Sequence, residues 1–221
     1  VLDCSDNMIT NLNMSQNALL TSLFCVGNRL SCFALTNQVV RSPIDPEVTN
    51  YWLNVIDLYG NRLQQLDISR GIQVESLNVG SNLLTNLNTS TLKNLRDLDC
   101  SANGLTNVDL SQNTELRSLN CSMTPLTNVD LSRNAELASL NCSMTLLVTL
   151  DVSVNVALRD LLCTNGQFAE LDISSNQVLE MLDCSWNPLS ELNISSNGKL
   201  ERLDCSHCSL QQLNLSSNNA L

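Results

Sequence analysis

The chain has 221 residues, 43% of them hydrophobic and only 3% aromatic, so its core has to be built mainly from aliphatic side chains and cysteine. The formal net charge of −11 leaves no positive field for a phosphate backbone, which excludes nucleic acid as an expected partner. No apolar run approaches the roughly 20 residues that cross a bilayer, so no membrane span is predicted.

Two units of a repeating pattern come first, and an insertion follows them. In each unit a Leu, a Cys and an Asn stand at fixed spacing, and the second unit repeats the first after 21 residues. The corresponding Asn61 comes 33 rather than 21 residues after Asn28, and the extra residues lie within 38–52. Asp45 followed by Pro46 resembles a helix start, so we expect about one turn of helix to leave the stack there.

From residue 53 the 21-residue period continues to the end of the chain. It gives about ten repeats in 1–221, which we interpret as a single domain interrupted by the insertion. Neither end carries the polar capping unit that solenoids usually have, so we expect both ends to continue into a longer protein. The residues in register include Leu95, Leu116, Leu137, Leu158, Leu179, Leu200 and Leu221, and Cys100, Cys121, Cys142, Cys163, Cys184 and Cys205.

Each repeat consists of two halves that alternate between apolar and polar residues. The first half reads L-x-x-L-x-C-x-x-N-x-L, and the second has a similar form, as in LTNVDLSQN with Val108 and Leu110 inward and Asp109 outward. Alternation with period two indicates a strand, whereas a helix needs about 10 to 12 residues with a 3.6-residue period. The sequence therefore predicts a β-rich solenoid with short parallel strands on both sides of each coil and little helix.

These nested halves resemble a bacterial class of leucine-rich repeats, sometimes called the IRREKO type, in which both halves follow an L-x-x-L-x-(L/C)-x-x-N pattern. The resemblance covers nearly the whole chain except the insertion. It implies a leucine-rich-repeat solenoid that winds as a right-handed superhelix. For many relatives it also implies a secreted or surface-attached bacterial protein that binds a macromolecule, without fixing the ligand.

The ten cysteines are even in number, but the repeat argues against disulfides. Equivalent residues of a parallel ladder stand about 4.8 Å apart, whereas bonded cysteines need Cβ atoms about 3.8 Å apart. We therefore expect each ladder Cys to be a small buried hydrophobic residue, in a position that Leu58 and Val79 fill in two repeats. Cys205 and Cys208 flank the only His, but a second ligand pair is missing, so no metal or other cofactor is predicted.

A row of carboxylates is expected on the outside of the second half. Neighbouring charges about 4.8 Å apart repel one another, so water, hydrogen bonds from the adjacent Ser row or the backbone, or Ca²⁺ should relieve the repulsion. A flat edge offers too few oxygens for a full Ca²⁺ cage, which leaves this row a weak calcium candidate. Its members are Asp109, Asp130, Asp151 and Asp172.

The first candidate ligand-binding patch lies near the amino terminus. Phe24, Val26 and Tyr59 point outward from the first half by register, and the insertion should bring Tyr51 and Trp52 close to them. Clustered exposed aromatic residues on a polar protein usually mark an interface. The insertion can equally fold back over Phe24, Val26 and Tyr59 and form a small satellite core.

A second candidate patch follows the first strand of later repeats. Met123, Met144 and Trp186 interrupt the polar pattern there, and prolines or a leucine follow each of them two positions later. The Asn of the repeat is replaced at three turns in this region. We interpret the patch as an interaction edge or as looser packing of the turns. The residues two positions after Met123, Met144 and Trp186 are Pro125, Leu146 and Pro188.

The pattern as a whole predicts a binding module rather than an enzyme. Catalysis needs a convergent, shielded set of groups, and a regular repeat face provides none, so no catalytic residue is predicted. We expect the surface to bind a protein or glycan as part of a larger secreted or cell-surface protein. The alternatives are a structural spacer between other domains and a Ca²⁺-dependent adhesin domain.

Overall fold

The computed structural model describes residues 1–14, 17, 19–35 and 52–221. These residues contain twelve short strands and no helix. The expected helix start at Asp45 and Pro46 lies outside the described residues. The strands are β1 (Leu2–Asp3), β2 (Ser22–Phe24), β3 (Cys32–Ala34), β4 (Val55–Asp57), β5 (Gln65–Asp67), β6 (Ser76–Asn78), β7 (Asp97–Asp99), β8 (Ser118–Asn120), β9 (Ser139–Asn141), β10 (Asp160–Leu162), β11 (Met181–Asp183) and β12 (Arg202–Asp204).

Ten of the strands form one parallel sheet along the solenoid, in the order β1-β2-β4-β6-β7-β8-β9-β10-β11-β12. Each strand pairs with the equivalent strand of the next repeat, as Leu119 does with Leu140. The register also holds across the insertion, where Phe24 pairs with Asp57. The β-rich leucine-rich-repeat solenoid predicted from the sequence is confirmed, including the slip in the period between Asn28 and Asn61.

The core runs along the inside of the coils and is built mostly from Leu. In β7 the middle residue Leu98 is buried, and Cys100 follows it two positions later on the same inner side. The second half of the same coil contributes Val108 and Leu110. Each buried aliphatic side chain stabilises the fold by about 1.5–3 kcal/mol relative to exposure, so the repeated inner positions dominate stability.

The second side of the coils differs from the expectation in one respect. The predicted alternation is present, since Val108 and Leu110 are buried while Asp109 is exposed. Strand pairing on this side, however, occurs among the described residues only between β3 and β5. In later coils Asn side chains bridge the turns instead, and Asn134 Nδ2 donates to the Leu110 carbonyl at 3.2 Å. Side-chain amides thus take the place of a continuous backbone ladder.

The turn after each strand of the large sheet is held by the Asn of the repeat. The Asn103 Nδ2 group donates to the carbonyls of Cys100, Ser101 and Val79 at 2.9–3.1 Å. Its Oδ1 accepts the backbone N–H of Leu84 at 2.9 Å. One buried side chain therefore satisfies four backbone groups in two consecutive repeats.

One residue of this turn adopts left-handed backbone geometry in every repeat. Its N–H still continues the ladder, as that of Met123 donates to the Ser143 carbonyl at 2.9 Å. Glycine adopts this geometry without cost, whereas other residues pay about 1–2 kcal/mol. We call this position the turn row. Its members, with φ from 48° to 67°, are Asp6, Gly27, Gly60, Ser81, Ala102, Met123, Met144, Asn165, Trp186 and His207.

The cysteines at the repeated inner position form a buried ladder along the sheet. All ten cysteines of the chain are free, and Leu58 and Val79 fill the same buried position in two repeats. Burial raises the pKa of the Cys121 thiol to about 12, so this sulfur stays protonated at physiological pH. The fully buried members are Cys25, Cys100, Cys121, Cys142, Cys163 and Cys184.

Replacing Asn103 by Ala should destabilise the chain by roughly 2–4 kcal/mol, because several buried backbone groups lose their partner at once. Replacing it by Thr should cost less, since Thr124 and Thr145 occupy this position in other repeats. Urea unfolding followed by circular dichroism measures both variants. An equal loss for Ala and Thr would contradict the role given to the side-chain hydrogen bonds.

Replacing Met123 by Gly should raise the free energy of unfolding by up to about 1 kcal/mol, because the left-handed backbone strain is removed. Gly27 and Gly60 already occupy the turn row. The matched control is Met181→Gly, which should lower stability because Met181 lies in β11. Thermal unfolding compares the two, and a Met123→Gly variant less stable than the parent would be evidence against strain at this position.

The ladder thiols should resist alkylation until the chain unfolds, because they are buried and their pKa values are raised. Cys32 is exposed on β3 and should react first. Maleimide labelling with and without urea, read by mass spectrometry of peptides, tests the order. Labelling of Cys121 and Cys142 in the folded chain as fast as that of Cys32 would show that the ladder opens readily.

Candidate binding surfaces

The amino-terminal patch is only partly open. Phe24 and Val26 are half-buried, and Tyr59 is 42% exposed. The Tyr59 ring leans over Gly80, where an added Cβ would lie 3.1 Å from the ring carbon Cδ2. The absence of a side chain at Gly80 thus makes room for the ring. These three outward side chains lie in the two coils that flank the insertion, where β2 pairs with β4.

Trp52 is separated from Tyr59 by β4. It precedes β4, whereas Tyr59 follows the same strand, so the two side chains emerge at opposite edges of the large sheet. The indole is 50% exposed. Tyr51, the other aromatic residue expected from the insertion, lies outside the described residues.

The second candidate patch follows one edge of the solenoid, where Asn165 lies between Met144 and Trp186. Met123 and Met144 occupy consecutive positions of the turn row and are 58% and 51% exposed. Trp186, 58% exposed, stacks on His207 with ring centroids 3.8 Å apart and planes 18° from parallel. We call these four residues the turn ridge. His207 was not predicted as a member, although it follows Trp186 by one 21-residue period.

The turns beneath the two methionines are well held. Thr124 and Thr145 replace the Asn of the repeat there, and both are buried. The Thr145 hydroxyl donates to the Cys142 carbonyl at 2.8 Å, and Thr124 makes the equivalent bond to Cys121. Each threonine therefore keeps the contact between the turn and the cysteine ladder.

The predicted carboxylate row is exposed along the second side. In each member the backbone N–H of the Ser two residues later donates to the carboxylate, as Ser111 does to Asp109 at 2.9 Å. This hydrogen bond, followed by that of the Ser hydroxyl, lowers the pKa of Asp109. Asp130, Asp151 and Asp172 have the same arrangement. Across the described ranges, no group of three or more His, Cys, Asp or Glu side chains is placed to hold a metal ion.

Polar groups on the large sheet also bond to one another. Asp99 accepts hydrogen bonds from the Ser101 backbone N–H and hydroxyl at 2.9 and 2.6 Å. Asn120 donates to the other carboxylate oxygen at 3.0 Å. Much of the hydrogen-bonding capacity of this face is used within the chain, so a ligand gains less from it than from exposed apolar groups.

The sulfur pair near the carboxyl terminus does not form a distinct centre. Cys208 Sγ donates to the Cys184 carbonyl at 3.3 Å, and Cys205 is a partly buried member of the ladder. The imidazole between them in sequence is stacked on Trp186. His207 therefore belongs to the turn ridge by its contacts.

No protein-family model matches the sequence, and no curated protein does. The structure is similar to the functional domain of InlJ from Listeria monocytogenes, which includes a cysteine ladder, with a TM-score of 0.91 and 31% identity. That match covers 100% of this chain and 47% of the InlJ chain. An internalin, inlF, from the same organism is 17% identical over 95% of this chain and 74% of its own, with a TM-score of 0.54.

YopM from Yersinia enterocolitica is 21% identical over 95% of this chain and 42% of its own, with a TM-score of 0.70. The chain thus spans about half the length of the InlJ domain that it resembles. The nested IRREKO-type class stays a prediction. Within the described residues, no helix has the length and apolar character needed to cross a membrane. The fold is that of the leucine-rich-repeat proteins, internalins among them, and it shares a cysteine ladder with InlJ.

Proposed function

We propose that the chain is a non-enzymatic binding module that presents the turn ridge to a protein ligand, as part of a larger secreted or cell-surface protein. The observation that carries this proposal is Trp186, a large aromatic residue that is 58% exposed at a left-handed backbone position. Ala102 and Ser81 occupy the same row, so the fold needs no large side chain there. Because every repeat has a left-handed residue at this position, the exposure of a large aromatic ring there is what favours a role in recognition.

The chemistry of the ridge suits a protein surface. Trp is enriched among residues that dominate binding energy, and flexible Met side chains adapt to different partners. The ridge extends over five consecutive repeats from Met123 to His207, or about 19 Å at the spacing of parallel strands. A ridge of this length can insert into a groove on a partner protein or lie along an extended segment of it. Stacking on Trp186 also suits a sugar ring, so a glycan is the alternative ligand.

The location in a secreted or surface-attached protein is supported by the nested repeats, which resemble a class with such members. The similarity to the functional domain of InlJ from Listeria monocytogenes supports this proposal. A structural spacer would gain nothing from the exposed ring of Trp186 at a position that alanine also occupies. The amino-terminal patch around Tyr59 is a second candidate surface, because its ring is exposed on the sheet face.

The triple variant Met123→Ala, Met144→Ala and Trp186→Ala should weaken ligand binding while leaving the fold unchanged. Ala102 shows that alanine is accepted in the turn row. The parent chain would be screened on an array of extracellular proteins and on a glycan array, and each hit would then be titrated with the variant. We expect at least a tenfold loss of affinity, since removing residues of this kind costs about 2 kcal/mol or more.

The matched control combines Phe24→Ala, Trp52→Ala and Tyr59→Ala, which removes the amino-terminal candidates and leaves the ridge intact. If the control loses binding and the ridge variant keeps it, the ligand binds the amino-terminal patch. A parent chain without any protein or glycan hit would favour the spacer. Far-ultraviolet circular dichroism and thermal unfolding verify that every variant remains folded.

A further inference from the structure

One coil carries an apolar band that its neighbours lack. Four of its outward side chains are between 43% and 57% exposed although they are large and apolar. Two repeats earlier, the same positions hold Gly104, Thr106, Gln112 and Thr114. We call the four residues the second-side band. They are Leu146, Val148, Val154 and Val156.

Folding of this coil does not account for the band. Its inner residue Val152 is buried, and the Asn155 N–H donates to the Val152 carbonyl as in the other coils. The Asn155 amide bonds to the Asn134 carbonyl at 2.7 Å, which repeats the bridge between other coils. Exposed apolar residues concentrated in one coil of a polar repeat protein mark an interaction site.

Carboxylates flank the band on the second side. Val154 lines a shallow groove between two coils together with Asp130 and Asp151. Two grooves farther along this side, Glu170 and Asp172 occupy the corresponding wall. Arg133 is the cation in the neighbouring groove, where it lies with two carboxylates. The band is therefore an apolar strip within a negatively charged surface.

We propose that the second-side band docks a protein segment whose apolar side chains are flanked by Lys or Arg. The valines would bury the apolar side chains, and Asp130, Asp151 and Asp172 would attract the cations. Val154 lies in a groove of the second side rather than in the turn row, so the module has a partner site besides the turn ridge. A second copy of the chain fits poorly, because a net charge of −11 and the same carboxylate row would oppose each other.

The test uses three fluorescein-labelled peptides of about twelve residues, measured by fluorescence anisotropy. One contains Leu and Lys, the second Leu and Glu, and the third Ser and Lys. The parent chain should bind the Leu and Lys peptide about tenfold more tightly than either of the others. Its affinity should fall as the NaCl concentration rises from about 0.05 to 0.3 M, because exposed charges are screened.

Two variants separate the apolar and the charged contributions. Val148→Thr, Val154→Gln and Val156→Thr introduce the residues that the coil two repeats earlier carries, and should reduce affinity to that of the Ser and Lys peptide. Asp130→Asn, Asp151→Asn and Asp172→Asn should remove most of the salt dependence. Asn193 bonds to Ser195 in the same position as these Asp residues, so Asn is compatible with the turn.

The turn-ridge triple variant serves as the control and should bind the Leu and Lys peptide like the parent. Equal binding by the parent and the valine variant would overturn the proposal, as would failure of the parent to bind this peptide better than the other two. A dimer in sedimentation equilibrium that the valine variant abolishes would instead identify a second copy as the occupant and overturn the assigned partner. Failure of the ridge proposal leaves these outcomes unchanged.

Discussion

In-register parallel pairing is the constraint on which the rest of the structure depends. Each strand of the large sheet pairs with the equivalent strand one repeat away, so each side chain lies beside its own equivalents at about 4.8 Å. This geometry places cysteine beside cysteine and carboxylate beside carboxylate. Cysteines can stand side by side because their thiols are neutral and buried. Carboxylates can do so because Ser residues donate hydrogen bonds to them.

The same constraint explains what the sequence could predict. A strict period assigns every residue to an inner or outer position, so Leu98 and Cys100 could be placed in the core and Phe24 and Tyr59 on the surface. It could not predict hydrogen bonding on the second side. Alternation reports which side chains point inward, whereas a strand also needs backbone partners, and the Asn134 amide takes carbonyls of the preceding coil there.

The repeat also predicted which residues belong to the candidate sites, but not their backbone geometry or their contacts. The sequence placed Met123, Met144 and Trp186 in the turn after the first strand, but it does not report backbone strain, which depends on φ. The position of His207 between two cysteines suggests a metal ligand, but a second ligand pair is missing from the sequence. His207 stacks on Trp186 because the two residues occupy equivalent positions in consecutive repeats. Trp52 and Tyr59 are close in sequence but separated by β4, which an argument from proximity in the chain does not detect.

The ends of the insertion are fixed on both sides of the solenoid. β2 pairs with β4 on the large sheet, and β3 pairs with β5 on the opposite side. The Leu35 N–H bonds to the Asp67 carbonyl, and the Asn54 N–H bonds to the Thr21 carbonyl, each at 2.8 Å. Backbone hydrogen bonds thus fix the strand register between the coil before the inserted residues and the coil after them. The solenoid can gain or lose residues at this point during evolution without a shift of register in any other coil.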